Sequence, residues 1–332
     1  MKFARIASNG PDGVTPRLVI VQPEQGRVID LLIAERTRLE RQGATRAAAL
    51  RLATALFPSS MTAALSLGNK FLTVSREIAA EAHPEAILPL VDLQLLTPLD
   101  PPLLRDFTAF EQHVRSMSKR EGRPVFKEFY QRPLYFKISP LNLIGHEQEV
   151  TWPNYTAHMD YELEIGLVIG KIGRNLRPEE ALEHLFGVTI LNDFSARDIQ
   201  PSEMGSGFGP AKAKDFSTAL GPWITTLDEI DITNLTMVAR VNGEEWSHNT
   251  SASATWTFPE LIAYASKGET IWPGEVLGSG TVGTGTGAEH GKQLQPGDIV
   301  ELEVQGIGTL RNCLGKPEEP GWEPEPRKNA GL

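Results

Sequence analysis

Cysteine is almost absent from this chain: Cys313 is the single one in 332 residues. A lone thiol closes no internal disulfide, so a reducing compartment, the cytoplasm, is the expected address. Long apolar runs are also missing, and nothing approaches the roughly 20 residues that span a bilayer. No apolar stretch follows Met1-Lys2-Phe3-Ala4-Arg5 that could act as a secretory signal. Excess positive charge is lacking too. With 32 Lys and Arg against 42 Asp and Glu, the net charge of −10 removes any global electrostatic reason to hold nucleic acid or an anionic membrane. There is no internal repeat and no low-complexity block. The glycine-rich run Gly278 to Gly287 lacks the Gly-Lys-Ser/Thr ending of a phosphate loop, so it reads as a tight loop approaching a ligand.

What remains is a globular composition, 40% apolar and 22% charged, in a chain long enough for a large domain and a smaller one. Residues 1–100 read as a small N-terminal α+β domain. It has short strands at Lys2–Ala7, Arg17–Val21 and Arg27–Asp30, then a helical stretch from about Ile33 to Leu56. Pro98, Pro101 and Pro102 place a boundary near 97–103. Residues 101–332 are strand-dominated, with signals at Leu134–Ile138, Leu163–Gly170, Trp223–Thr225, Thr236–Val241 and Ile299–Val304. Helices are expected only occasionally, as at Pro178–Leu185 and Phe258–Ser266, and the Pro/Glu-rich tail from Lys316 is expected to be poorly ordered at its end. The fold class is therefore α+β, a sandwich or rolled sheet rather than a doubly wound nucleotide fold.

The densest chemistry lies in Asp160-Tyr161-Glu162-Leu163-Glu164-Ile165-Gly166. On an extended strand Glu162 and Glu164 share one face while Tyr161, Leu163 and Ile165 share the other. Alone, Glu-x-Glu is more often a solvated strand face than a metal site. Here Asp193 ends a second apolar run and Asp106 lies in a third segment. Four carboxylates without Cys or His make a hard oxygen site suited to Mg²⁺, Ca²⁺ or Mn²⁺ rather than zinc. Asp198 reads equally well as a turn or ion-pair residue. On its neighbours alone, Glu111, Gln112 and Arg115, His113 would be a polar surface residue of a short helix.

Four blocks in order carry a resemblance: Asp106-Phe107 with His113; Asp160 to Glu164; Asn192-Asp193-Phe194-Ser195-Ala196-Arg197-Asp198-Ile199-Gln200; and Lys214-Asp215-Phe216-Ser217-Thr218 leading to Gly221-Pro222-Trp223. In this combination the chain resembles the fumarylacetoacetate hydrolase family, from Asp106 to the strands near Thr309. The resemblance implies the family's mixed β-sandwich or rolled-sheet catalytic domain. It also implies Asp106, Glu162, Glu164 and Asp193 as ligands of a divalent ion (Mg²⁺, or Mn²⁺ or Ca²⁺), with Lys214 and Thr218 adjoining. Arg197, Gln200 and Lys214 would address substrate oxygens, and His113 would be the general base. Tyr135 and Thr281 would touch substrate. Tyr130, Phe136 and Lys137 also fall among the family's cavity positions, although for Phe136 a place on a core strand is the better reading.

These roles suit metal-assisted hydrolysis of a carbon–carbon bond in a β-diketo acid such as an acylpyruvate: the ion polarises a carbonyl and His113 activates water. The carboxylate that orients the histidine in the family's founding enzymes has no clear counterpart here. Glu289 is the nearest candidate and Glu111 a weaker one. A decarboxylase, hydratase or isomerase acting on a 2-oxo acid through the same chemistry is the alternative, and a non-catalytic ligand-binding module is the alternative of another class. The partners implied are a small diketo or 2-oxo acid and a second copy of the chain, as a homodimer.

Overall fold

The computed structural model describes residues 1–10, 13–325 and 327. Among them the main sheet has eleven strands, and a second sheet of five strands packs on one of its faces. Both sheets are open. Ten strands of the main sheet run, side by side, through Ile87–Pro89, Arg27–Asp30, Gly13–Gln22, Lys2–Gly10, Thr218–Thr226, Leu185–Asp193, Leu163–Ile169, Val276–Gly278, Leu104–Phe107 and Tyr135–Ile138, and the eleventh, Leu143–Ile144, pairs with Thr218–Thr226. The N-terminal segment, expected as a small separate domain, joins this sheet directly: Lys2 and Phe3 pair with Thr225 and Ile224. It also shares a core with the rest, because Phe3, Phe57, Met61 and Phe71 pack with Phe186, Leu191, Leu220 and Val276.

The helical stretch expected at 33–56 is two helices, Leu31–Arg41 and Arg46–Leu56. Gly43 takes a φ of 95°, and the Thr45 side chain caps the second helix through the N–H of Ala48. Gly and an N-cap Thr are stop and start signals, so this break could have been read from the sequence. Pro178–Leu185 is shorter than expected: an α-turn at Pro178–Ala181, a 3₁₀ turn at Leu182–His184, and then a strand. Cys313 is half-buried, since its neighbours Asn312 and Leu314 take the inward positions of Gly308–Pro317. The expected disorder at the end of the tail falls on residues 328–332, outside the described residues.

Strand alternation sets where the site forms. Leu163, Ile165, Leu167 and Ile169 face the second sheet, as do Val188, Ile190, Ala219 and Leu277. The opposite parity carries Val168, Leu191, Leu220, Val276 and Leu104 into the core under the N-terminal helices. Moving two residues along the same parity gives Asp193, Thr218, Gly278 and Asp106, and moving four from Val168 gives Glu164. The carboxylates thus replace apolar side chains on one continuous sheet face. The register brings them together: Gly166 opposes Gly278, Gly278 opposes Asp106, and Asp193 opposes Thr218.

Candidate active site

A cavity of about 460 Å³ opens on this sheet face. Its polar floor includes Asp106, Glu162, Glu164, Arg197, Lys214 and Thr281, and its mouth includes Met117, Phe126 and Met204. Asp106, Glu162 and Glu164 each offer a carboxylate oxygen within 4.8 Å of the others. All three are buried, Glu164 completely. The Glu164 carboxylate accepts the Gly280 N–H at 3.0 Å and the Thr281 hydroxyl at 3.3 Å. Gly278 makes room for the pair, because a Cβ there would stand 2.5 Å from Asp106 Oδ1 and 3.0 Å from Glu164 Oε2.

The cations are distributed unevenly. Lys214 Nζ donates to Glu162 Oε2 at 2.6 Å and to Asp193 Oδ2 at 2.5 Å. Arg197 Nη2 lies 2.8 Å from Glu162 Oε1, while its Nε donates to Asp160 Oδ2 at 2.9 Å. Burial opposes ionisation of Glu162, yet Lys214 and Arg197 outweigh it and hold its carboxyl well below the usual range. No basic side chain among the described residues forms an ion pair with Asp106 or Glu164. Burial pushes the Asp106 carboxyl up to about 6. It drives Glu164 well above its ordinary value, and the charge of Asp106 adds to the effect. Asp193 is also raised, by burial above all, although Lys214 opposes this.

These residues fit a divalent cation. The donors are hard oxygens, two buried carboxylate oxygens (Asp106 Oδ1 and Asp193 Oδ1) have no hydrogen-bond partner, and Lys214 and Arg197 offset only two of four carboxylates. Beside the cluster, His113 Nδ1 stands 3.1 Å from Glu289 Oε2, and its Nε2 lies 3.9 Å from Glu162 Oε1. Glu289 is held below its ordinary pKa: burial opposes this, and the bond to His113 outweighs burial. An ionised carboxylate can only accept, so His113 donates from Nδ1 and keeps its Nε2 lone pair on the cavity side.

The family description "Fumarylacetoacetate (FAA) hydrolase C-terminal" matches residues 103–315, the span that holds every group above. The chain belongs to the fumarylacetoacetate hydrolase family. Among the relatives of this family member, oxaloacetate tautomerase YisK of Bacillus subtilis is 30% identical over 267 residues, covering 78% of this chain and 87% of that protein. The human mitochondrial oxaloacetate tautomerase FAHD2A is 31% identical over 257 residues, 77% of this chain and 79% of the relative. The solved fumarylacetoacetate hydrolase of Exiguobacterium antarcticum superposes with a TM-score of 0.70 at 24% identity, covering 95% of this chain and 99% of that one, and so shares the fold.

In this family member the expected residues fall into three groups. Asp106, Glu162, Glu164, His113, Arg197, Gln200, Lys214 and Thr281 all line one cavity. Asp193 and Thr218 are buried opposite each other in the sheet: Asp193 is tied to Lys214 and stands outside the three-carboxylate group. Tyr135 is the correction. It points away from the cavity, donating to Glu269 Oε1 at 3.2 Å and packing on Phe107. Phe136, expected in the core, packs against it and also lines the cavity, beneath Lys214. The reason is register: Asp106 opposes Phe136, and directly opposed residues share a face. Tyr130 is also elsewhere, exposed and donating to Glu111. Glu111 pairs with Arg115 and Tyr130 at the surface, which leaves Glu289 beside His113. Asp198 accepts from Thr156 and Ala157 as a turn residue. The apolar mouth residues Met117, Phe126 and Met204 carried no signal in the sequence beyond their nearness to His113 and Gln200.

Proposed function

We propose that this chain moves a proton at the carbon next to the carbonyl of a small 2-oxo acid, interconverting keto and enol forms with a divalent cation, Mg²⁺ or Mn²⁺, held by Asp106, Glu162 and Glu164. The observation that carries this reading is the His113–Glu289 pair, which leaves a single base facing the carboxylate group. A bound divalent ion supplies Lewis-acid polarisation of the carbonyl and offsets charge on its oxygen. Glu289 accepts from Nδ1, so His113 takes the proton at Nε2 and can return it to the same face. Arg197 donates to Gln200 Oε1 at 2.9 Å, which leaves the Gln200 NH₂ as a donor toward substrate oxygen. Lys214 adds positive charge on the same side. The oxaloacetate tautomerases that share about 30% identity over most of the chain support this class of reaction.

Carbon–carbon hydrolysis of a β-diketo acid is the second reading. It is favoured by the apolar mouth at Met117, Phe126 and Met204, which suits an acyl chain longer than a four-carbon acid carries. The same base would then activate water. One experiment separates the two: the purified protein with Mn²⁺ is given 2-oxo acids and acylpyruvates in D₂O and followed by NMR. Deuterium uptake beside the carbonyl without cleavage supports proton transfer, and two smaller acids from a diketone support hydrolysis. Neither, with Mn²⁺ bound, contradicts both. A homodimer and a cytoplasmic address belong to the same proposal, the first tested by light scattering and the second by cell fractionation. Among the described residues no helix is long and apolar enough to cross a membrane.

A further inference from the structure

One buried carboxylate beside the site, Asp160, is absorbed by none of the roles above. It lies on the short strand Met159–Asp160, paired with Ser195–Ala196, and is 4% exposed. Four donors converge on it. Oδ1 accepts the N–H of Gly287 at 2.9 Å and of Tyr161 at 3.1 Å; Oδ2 accepts the N–H of Ala288 at 3.2 Å and Arg197 Nε at 2.9 Å. Gly287 and Ala288 open the turn Ala288–His290, which carries Glu289.

The contacts close a ring. Asp160 holds the turn bearing Glu289; Glu289 bonds His113; His113 Nε2 lies 3.9 Å from Glu162; Glu162 meets Arg197 at 2.8 Å; and Arg197 returns to Asp160. Two segments 37 and 127 residues from Asp160 in sequence are thereby fixed to one carboxylate. Gly287 shows how close the fit is. Its φ of −61° is open to any residue, but a Cβ there would stand 2.9 Å from Asp160 Oδ1.

We propose that Asp160 is a positioning residue that registers the Glu289-bearing turn against Arg197, so that the imidazole of His113 and the guanidinium facing the substrate are oriented together. This rests on the reading of His113 as the base. The chemistry demands a carboxylate: each oxygen receives two donors, so an amide NH₂ in either position would face two N–H groups and repel them.

The test needs neither substrate nor metal. In protein carrying ¹⁵N-histidine, long-range ¹H–¹⁵N imidazole spectra report which ring nitrogen bears the proton, and His113 is assigned by loss of its signals in His113→Ala. The wild type is expected to show a protonated Nδ1. Glu289→Gln changes that pattern, and Asp160→Asn is expected to reproduce the change. Gly287→Ala disturbs the same contact from the other side with the carboxylate intact, and it decides the matter if Asp160→Asn does not fold. A folded Asp160→Asn or Gly287→Ala protein with the wild-type His113 pattern would overturn the proposal. An unchanged pattern in Glu289→Gln would overturn the base assignment along with it. Once a substrate is established, Asp160→Asn is expected to lower kcat about 10–100-fold, the range for groups that orient a site. It should leave Mn²⁺ affinity unchanged and add little further loss to Glu289→Gln.

Discussion

The two halves of the carboxylate cluster are built oppositely. Glu162 is paired with Lys214 and Arg197 and is held ionised despite its burial. Asp106 and Glu164, on strands of the same face separated by Val276–Gly278, form no ion pair with a basic side chain among the described residues, and burial pushes both toward protonation although the charge of Lys214 opposes this at Asp106. The same residue types thus sit in two electrostatic states, set by which side of the group the basic side chains occupy. The difference locates the demand for positive charge on the Asp106–Glu164 side, with Glu162 shared between the group that could hold a cation and the basic side chains Lys214 and Arg197.

Substitutions on either side of the group test this contrast. The largest effect is expected from Glu164→Ala, which removes a ligand from the side short of positive charge: Mn²⁺ binding should vanish in calorimetric titration, and full affinity would reject the assignment. His113→Ala lies outside the contrast and should keep Mn²⁺ while lowering turnover about 10²–10⁴-fold; an active variant would remove the base role. Lys214→Met attacks the saturated half by leaving Glu162 and Asp193 short of a buried partner. It should destabilise the metal-free fold by about 3–5 kcal/mol in denaturant titration, with partial recovery on adding Mn²⁺.

The smallest effect is a pH dependence. A carboxyl whose folded pKa is raised binds more protons folded than unfolded, so its contribution is fully present below the unfolded value near 4 and is lost as pH rises through about 6. The metal-free chain should therefore lose a few °C of Tm across that window relative to Asp106→Asn, since one kcal/mol moves Tm by about 2–4 °C at 150–250 residues and by less in a longer chain. A constant difference between the two proteins would contradict the raised value.

The strands Arg27–Asp30, Thr236–Val241 and Ile299–Val304 and the helix Phe258–Ser266 were legible because period and punctuation are local properties. The shared face of Glu162 and Glu164 was legible for the same reason, and motif order identified the family. What escaped was non-local. The pairing of Lys2 with Thr225 merges the N-terminal strands into the catalytic sheet. The choice of Phe136 over Tyr135 depends on register with Asp106, a segment about thirty residues away. The donors to Asp160 include backbone N–H groups that no side-chain pattern announces, whereas Glu289, 176 residues from His113, was already the nearest candidate to orient it.

The contrast between the two halves is tested most directly by crystals of the protein grown with Mn²⁺ and measured for its anomalous scattering. One strong peak is expected, bounded by carboxylate oxygens of Asp106, Glu162 and Glu164. A peak at another place, or none at saturating Mn²⁺, would contradict the account.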